Sequence, residues 1–291
     1  MFRLRLLAAA VLLFGATTAF AAGRVQCGAT RSQHVARPVA FCALLPPSYD
    51  SEPKKQFPVL YFLHGIGEDQ TFMFTSGAWT MIEEAQEQKR LGEFVIITPA
   101  AGRSFYINGK DGGMRYEDFF IREFIPAMER SFRISHTRSD RAVGGVSMGG
   151  YGALRFAFKY PQMFSSVAAL MPALMPALPH GVANMNLARF IGPAFGTPVD
   201  ENFWRANTPF VFARTANLSG LKIYFATGDQ DEYGFDAGTR ALDQLLTSRH
   251  IPHMAHIYPG GHSGAFVAAH VEEALKFVWS AFGESSARSK N

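Results

Sequence analysis

Arg141-Ala142-Val143-Gly144-Gly145-Val146-Ser147-Met148-Gly149-Gly150-Tyr151-Gly152-Ala153-Leu154 reads as a short apolar strand, a sharp turn and the start of an Ala/Leu-rich helix. Centred in it is Gly145-x-Ser147-x-Gly149, the pattern of a nucleophile elbow. A serine hydroxyl is a weak nucleophile in water, so it has to be held on a tight turn, open to substrate and within reach of a base. Glycines two residues to either side let the backbone make that turn without side-chain collision. The pentapeptide also fits an ordinary glycine-rich turn, so its surroundings must decide between the two readings.

Upstream, Phe57-Pro58-Val59-Leu60-Tyr61-Phe62-Leu63-His64-Gly65-Ile66-Gly67 reads as a buried strand running into a flexible loop. In an α/β-hydrolase the loop after such an early strand supplies one backbone N–H of the oxyanion hole, and the residue after the serine supplies the other. Ile66 and Met148 are the donors this predicts, with His64 shaping the loop. Downstream, residues 221–226 are strand-like and end in Thr227-Gly228-Asp229-Gln230-Asp231-Glu232, where an acid is placed to orient a histidine. A last short strand at 254–259 precedes Gly260-Gly261-His262-Ser263-Gly264. The order Ser, Asp, His along the chain is that of α/β-hydrolases. On these residues alone Asp229, Asp231 and Asp236 all stand as candidates for the acid.

Together with Trp79, Tyr116-Glu117-Asp118-Phe119, Glu123-Phe124-Ile125-Pro126 and Asn207-Thr208-Pro209, these segments resemble the esterase family of α/β-hydrolases. That family includes esterase D (S-formylglutathione hydrolase), feruloyl and acetyl-xylan esterases and the mycobacterial mycolyltransferases. The matching pieces run in family order from about residue 40 to about residue 280. The resemblance implies an α/β-hydrolase fold, a triad of Ser147, Asp231 and His262, no cofactor, and Trp79 as a substrate contact. The family's Gly-x-x-Asp spacing, counted from Gly228, is what selects Asp231 over Asp229. The chain departs from many relatives where they carry aromatic residues two and five places after the histidine, since it has Gly264 and Val267 there. A more open rim beside His262 follows, with Gly264 as a second substrate contact.

The remaining pattern agrees with a mostly parallel central sheet covered by helices on both faces, preceded by antiparallel N-terminal strands. Strands are predicted at 39–45, 59–63, 94–99, 142–146 and 167–170, and helices at 80–90, 117–133 and 149–160. In the second helix Phe120, Phe124, Ile125 and Met128 share one face. Residues 171–219, rich in Pro, Ala, Met and Phe, stand where an excursion over the active site is usual, and an ordinary crossover helix fits them equally. His250, His253 and His256 recur every third residue, but Pro252 interrupts any helix that would align them, so no metal site is expected.

At 291 residues and 48% hydrophobic composition the chain can bury one substantial core, and no internal repeat or linker divides it. The N-terminus differs in kind: Met1-Phe2-Arg3-Leu4-Arg5 is basic, residues 6–14 are apolar, and Ala19-Phe20-Ala21 fits a small-x-small cleavage site. A signal peptide over 1–21 and a single mature domain over 22–291, periplasmic or secreted, are predicted; the apolar stretch is short for a membrane span. Export permits a disulfide between Cys27 and Cys42, the only two cysteines. Without Arg3 and Arg5 the charge balance is 26 basic to 24 acidic residues, or +2, scattered rather than clustered, which excludes a nucleic-acid partner.

The function these readings predict is hydrolysis of carboxylic esters, small or polysaccharide-linked, with short acyl or feruloyl- and acetyl-type groups. The alternative is acyl transfer to an alcohol or sugar by the same triad. A noncatalytic binding protein on the same fold would be signalled by loss of a triad member, and all three are present.

Overall fold

The computed structural model describes residues 23–178 and 182–288; the predicted signal peptide, residues 1–21, lies outside them. Eight strands form one sheet in the order β1-β2-β4-β3-β5-β6-β7-β8. They are β1 (Arg24–Thr30), β2 (Val39–Leu45), β3 (Val59–Leu63), β4 (Val95–Pro99), β5 (Arg141–Val146), β6 (Ser166–Leu170), β7 (Lys222–Gly228) and β8 (Met254–Tyr258). β1 pairs antiparallel with β2, and β2 antiparallel with β4; from β4 to β8 every pairing is parallel. The continuous apolar runs that suggested buried parallel strands are buried: every residue of β3, β4, β5 and β6 is.

Because strand side chains alternate between faces, those runs feed two cores. Val59, Tyr61 and Leu63 point into one, beneath the helices α3 (Tyr116–Phe119), α4 (Ile125–Ser131), α5 (Met148–Lys159), α8 (Pro209–Thr215) and α9 (Phe235–Ser248). Leu60 and Phe62 point into the other, beneath α1 (Phe72–Thr75), α2 (Ala78–Glu87) and α10 (Gly264–Arg288). The helix predicted over 117–133 is interrupted by a π turn at Phe120–Phe124. Pro126, which has no N–H to donate, stands at the start of α4 just beyond it. Residues 171–219 contain α6 (Val182–Phe195), α7 (Glu201–Asn207) and α8.

Trp79, expected from the resemblance as a substrate contact, is placed in the second core. In α2 it shares a buried face with Ala78, Ile82 and Ala85, at helical spacing, and packs into the second core. The indole is 9% exposed and lies against Gly23, so it braces the start of β1 and is not part of the cavity wall.

Two of the motifs meet around Arg155 of α5, which is 1% exposed. Its guanidinium pairs with Glu117 at 2.8 Å and bonds the Asn207 side chain at 2.9 Å and the Asn207 carbonyl at 3.0 Å. Tyr151 Oη donates to the same carbonyl at 2.8 Å. Burial pushes the Glu117 carboxyl up, but Arg155, Lys159 and Tyr160 more than reverse this and leave its pKa lowered. The network fastens the end of α7 to the helix that carries the elbow.

Cys27 and Cys42 face each other across the β1–β2 register and form a disulfide. Closing a loop of this length contributes about 3 kcal/mol in the chain-entropy account. Replacing both cysteines by serine is therefore expected to lower unfolding free energy by about 3 kcal/mol in denaturant titrations of nonreduced protein. A double variant within about 0.5 kcal/mol of the parent would show that the bridge adds nothing.

Candidate active site

Ser147 stands between β5 and α5 with φ 55° and ψ −117°, a conformation that L residues seldom adopt. Its N–H donates to Leu170 O at 3.0 Å, and its carbonyl accepts from Ala173 N at 3.0 Å, so the end of β6 and the segment just beyond it hold the turn on one side. On the other side glycine is obligatory. A side-chain carbon at Gly149 would lie 1.9 Å from Leu63 O, and one at Gly145 would lie 2.5 Å from the same oxygen. Phe105 and Met171, which border the same cavity, also have positive φ, so strained backbone gathers around Ser147.

His262 comes from the loop after β8. Its Nε2 is 2.9 Å from Ser147 Oγ, and its Nδ1 is 2.8 Å from Asp231 Oδ2. The Asp231 side chain is fully buried, and its other oxygen accepts the Tyr233 N–H at 3.0 Å. Burial pushes this carboxyl up, yet His262 and the backbone donors overcome it and hold the pKa below the usual value. An ionised acceptor at Nδ1 keeps the proton there and leaves Nε2 free to accept from the serine.

The other acidic candidates have different places. Asp229 is exposed and accepts the Gly260 N–H at 3.0 Å, whereas Asp236 pairs with Arg240 at 3.7 Å in the first turn of α9. Glu232, which the sequence reading left without a role, accepts the His262 backbone N–H at 2.7 Å. Three acids after β7 thus hold three points of the 260–262 loop.

The loop after β3 is organised by His64, which is fully buried. Ala101 N–H donates to its Nε2 at 2.9 Å, so the ring proton is on Nδ1 and is donated to Gly65 O at 2.7 Å. Burial lowers the His64 pKa, in keeping with a neutral ring. Ile66 and Met148 both border the cavity beside Ser147. Met148 is the first residue of α5, so its N–H has no acceptor within the helix.

The cavity these elements enclose has a volume of about 470 Å³. Its wall is largely apolar, with Phe72 and Phe105, and with Met175, Leu187 and Ile191 from residues 171–219. Among the described residues the excursion therefore covers the site in part, through Met175 and through Leu187 and Ile191 of α6. Gly264 and Val267 border the cavity, and Gly264 has open space where a side chain would start and no left-handed backbone. Tyr233 and Phe235 meet the His262 ring edge-on, with centroids 5.0 and 5.4 Å away. Neither was singled out from the sequence, although their position just after the acid was the available signal.

A wider surface hollow of about 800 Å³, bordered by Lys110, Arg189 and Thr197, includes none of the predicted site residues. The histidines at 250, 253 and 256 do not converge: His253 bonds Asp243 at 2.8 Å and stacks on Phe225, while His256 stacks on Tyr258. Among the described residues no group of His, Cys, Asp or Glu side chains is arranged to hold a metal ion.

A strained serine at a strand-to-helix turn, on a mostly parallel eight-stranded sheet with helices on both faces, defines the α/β-hydrolase class. Within that class the chain belongs to the esterase family described as "Putative esterase", whose profile matches residues 32–279. An esterase of Mycobacterium tuberculosis, Rv1288, is 30% identical over 241 residues, 75% of this chain and 51% of the relative. The chain thus spans about half the length of that curated relative. Among solved structures, a ferulic acid esterase superposes with a TM-score of 0.76 at 23% identity, covering 89% of this chain and 98% of the other. An S-formylglutathione hydrolase from Agrobacterium tumefaciens gives 0.74 at 18% identity, covering 91% and 97%. These likenesses establish the shared fold.

The contact at Leu63 O generates a stability test. Gly149→Ala would drive a methyl into backbone that has no room to yield, with an expected loss of at least about 3 kcal/mol. For a chain of this size that corresponds to a melting temperature lower by roughly 6 °C or more in a thermal scan. A shift under about 2 °C would mean that the elbow relaxes away from β3.

Proposed function

We propose that the protein is an exported serine carboxylic ester hydrolase, with Ser147 as nucleophile, His262 as general base and acid, and Asp231 as the group that orients and stabilises His262. The observation that carries this reading is the unbroken row from Ser147 Oγ through His262 to the buried Asp231, opening onto an apolar cavity. His262 Nε2 takes the hydroxyl proton as Oγ attacks the ester carbonyl. The backbone N–H groups of Ile66 and Met148 stabilise the tetrahedral oxyanion, a contribution typically worth about 3 to 4 kcal/mol of barrier per donor. The imidazolium then protonates the departing alcohol, leaving an acyl-Ser147. Water, deprotonated by His262, attacks that acyl carbonyl and releases the acid and the free serine.

The cavity size and its apolar wall support short-chain acyl or feruloyl- and acetyl-type esters as substrates, and membership of the esterase family supports ester hydrolysis as the reaction. Open space at Gly264 supports a rim that admits a bulky group beside His262. The cleavable leader read at 1–21 and the Cys27–Cys42 bridge together support export, since such bridges persist in oxidising compartments.

Hydrolysis of p-nitrophenyl esters of increasing chain length and of methyl ferulate is the direct test. Ser147→Ala is expected to lower kcat by at least about 10⁴-fold with an unchanged melting temperature. Near-parental rates in that variant would remove Ser147 from the chemistry. Asp231→Asn is expected to lower kcat by about 10³ to 10⁴-fold, because the histidine loses its enforced tautomer, whereas Asp229→Asn should cost less than about tenfold. Steady-state kinetics on the two variants checks the order, and the reverse ranking would reassign the acid.

A further inference from the structure

The cavity that takes the ester has one charged group not used by the triad. Glu68 follows the loop after β3, and its Oε2 accepts the Gly65 N–H at 2.8 Å. A side-chain carbon at Gly65 would lie 3.0 Å from that oxygen and 3.5 Å from Ser147 Cβ. The carboxylate and the serine are therefore separated by little more than the width of one glycine. Glu68 and His262 are the only charged or titratable side chains among the described residues that line the cavity, apart from the Tyr233 phenol; no Lys or Arg is among them.

We infer that Glu68 is a charge selector for the esterase reading given above: its carboxylate favours neutral and cationic esters and repels those with a negative charge near the scissile bond. The physical basis is that like charges several ångströms apart in a partly desolvated cleft repel strongly, with no basic residue on this wall to offset the repulsion. Gly65, wedged between the Glu68 carboxylate and Ser147, puts that carboxylate on the serine side of the cavity, where burial pushes its pKa up and the Gly65 N–H and His262 oppose the rise. Its bond to Gly65 also fixes the segment that presents Ile66, so the charge cannot swing away without loosening that loop. Selection by charge differs in kind from selection by fit. It is a repulsive element, tested with the charge on the alcohol half of the ester.

Three acetates of matched size test it at pH 8, where a carboxylate is ionised: 3-acetoxybenzenesulfonate, 3-acetoxybenzenesulfonamide and 3-acetoxy-N,N,N-trimethylanilinium. Each kcat/KM is divided by the rate constant for hydroxide-catalysed hydrolysis of the same compound, which removes differences in intrinsic reactivity. The parent enzyme is expected to use the sulfonamide and the trimethylanilinium at least about tenfold better than the sulfonate. In Glu68→Gln, which keeps the acceptor oxygen facing Gly65, the sulfonate-to-sulfonamide gap should close to within about threefold. In Glu68→Lys the order of anion and cation should invert. Circular dichroism and melting temperature establish that each variant is folded. A parent enzyme that hydrolyses all three equally, or a gap that survives in Glu68→Gln, overturns the charge selector and leaves the esterase reading intact. Failure of the parent to hydrolyse any of the three, including the neutral sulfonamide, overturns the esterase reading and this inference with it.

Discussion

The Leu63 carbonyl is approached by two glycine backbones, Gly145 before the serine and Gly149 after it, at distances that no side chain would permit. This contact locks the turn after β5 against the end of β3, where the His64–Gly67 loop begins. The serine and the loop that supplies Ile66 are consequently one rigid unit, although they are some eighty residues apart in sequence. Preorganisation of this kind is what oxyanion stabilisation demands, because donors that have to move into place lose their electrostatic advantage. The positive φ of Ser147 is tolerated because β6 holds the turn from the opposite side.

A second constraint fixes the cover over the site. Arg155 is buried on α5 and is held by Glu117 and Asn207, so the excursion is clamped to the same helix that the elbow starts. Burying such a pair costs desolvation, and loss of one partner would strand the other charge in an apolar setting. The arrangement gives the Tyr116-Glu117 and Asn207-Thr208-Pro209 motifs a positional meaning. They set where α7 and α8 lie relative to α5.

Strands were legible wherever burial on both faces made them continuously apolar: 39–45 and 59–63 are found as read, and the strand before the elbow differs by one residue. Helix ends were less so, because ends depend on local capping, and the π turn at Phe120–Phe124 carries no periodic signature. The hydrogen-bonded row was readable because its members each follow a strand and so gather at one edge of a parallel sheet. The choice between Asp229 and Asp231 required the family's spacing, and its physical cause is burial: two residues apart on a loop leaving β7, one carboxylate turns inward and the other outward. The cavity wall was mostly unreadable. Phe72, Phe105, Met175 and Tyr233 come from separate segments, and in sequence they are indistinguishable from core residues. Trp79 shows the converse, an aromatic in a matching position that helical spacing directs into the core.

The positions of the serine and the histidine in the sheet are unequal. β5 is braced by β3 and β6, whereas β8 is the last strand and pairs with β7 alone. Its residues are only partly buried. Edge elements open at lower free energy than central ones, so Ser147 belongs to a more persistent part of the sheet than His262 does. The bonds from Asp229 and Glu232 to the 260–262 backbone are therefore splints on a weak margin, and displacement of His262 from its station is separable from loss of the fold.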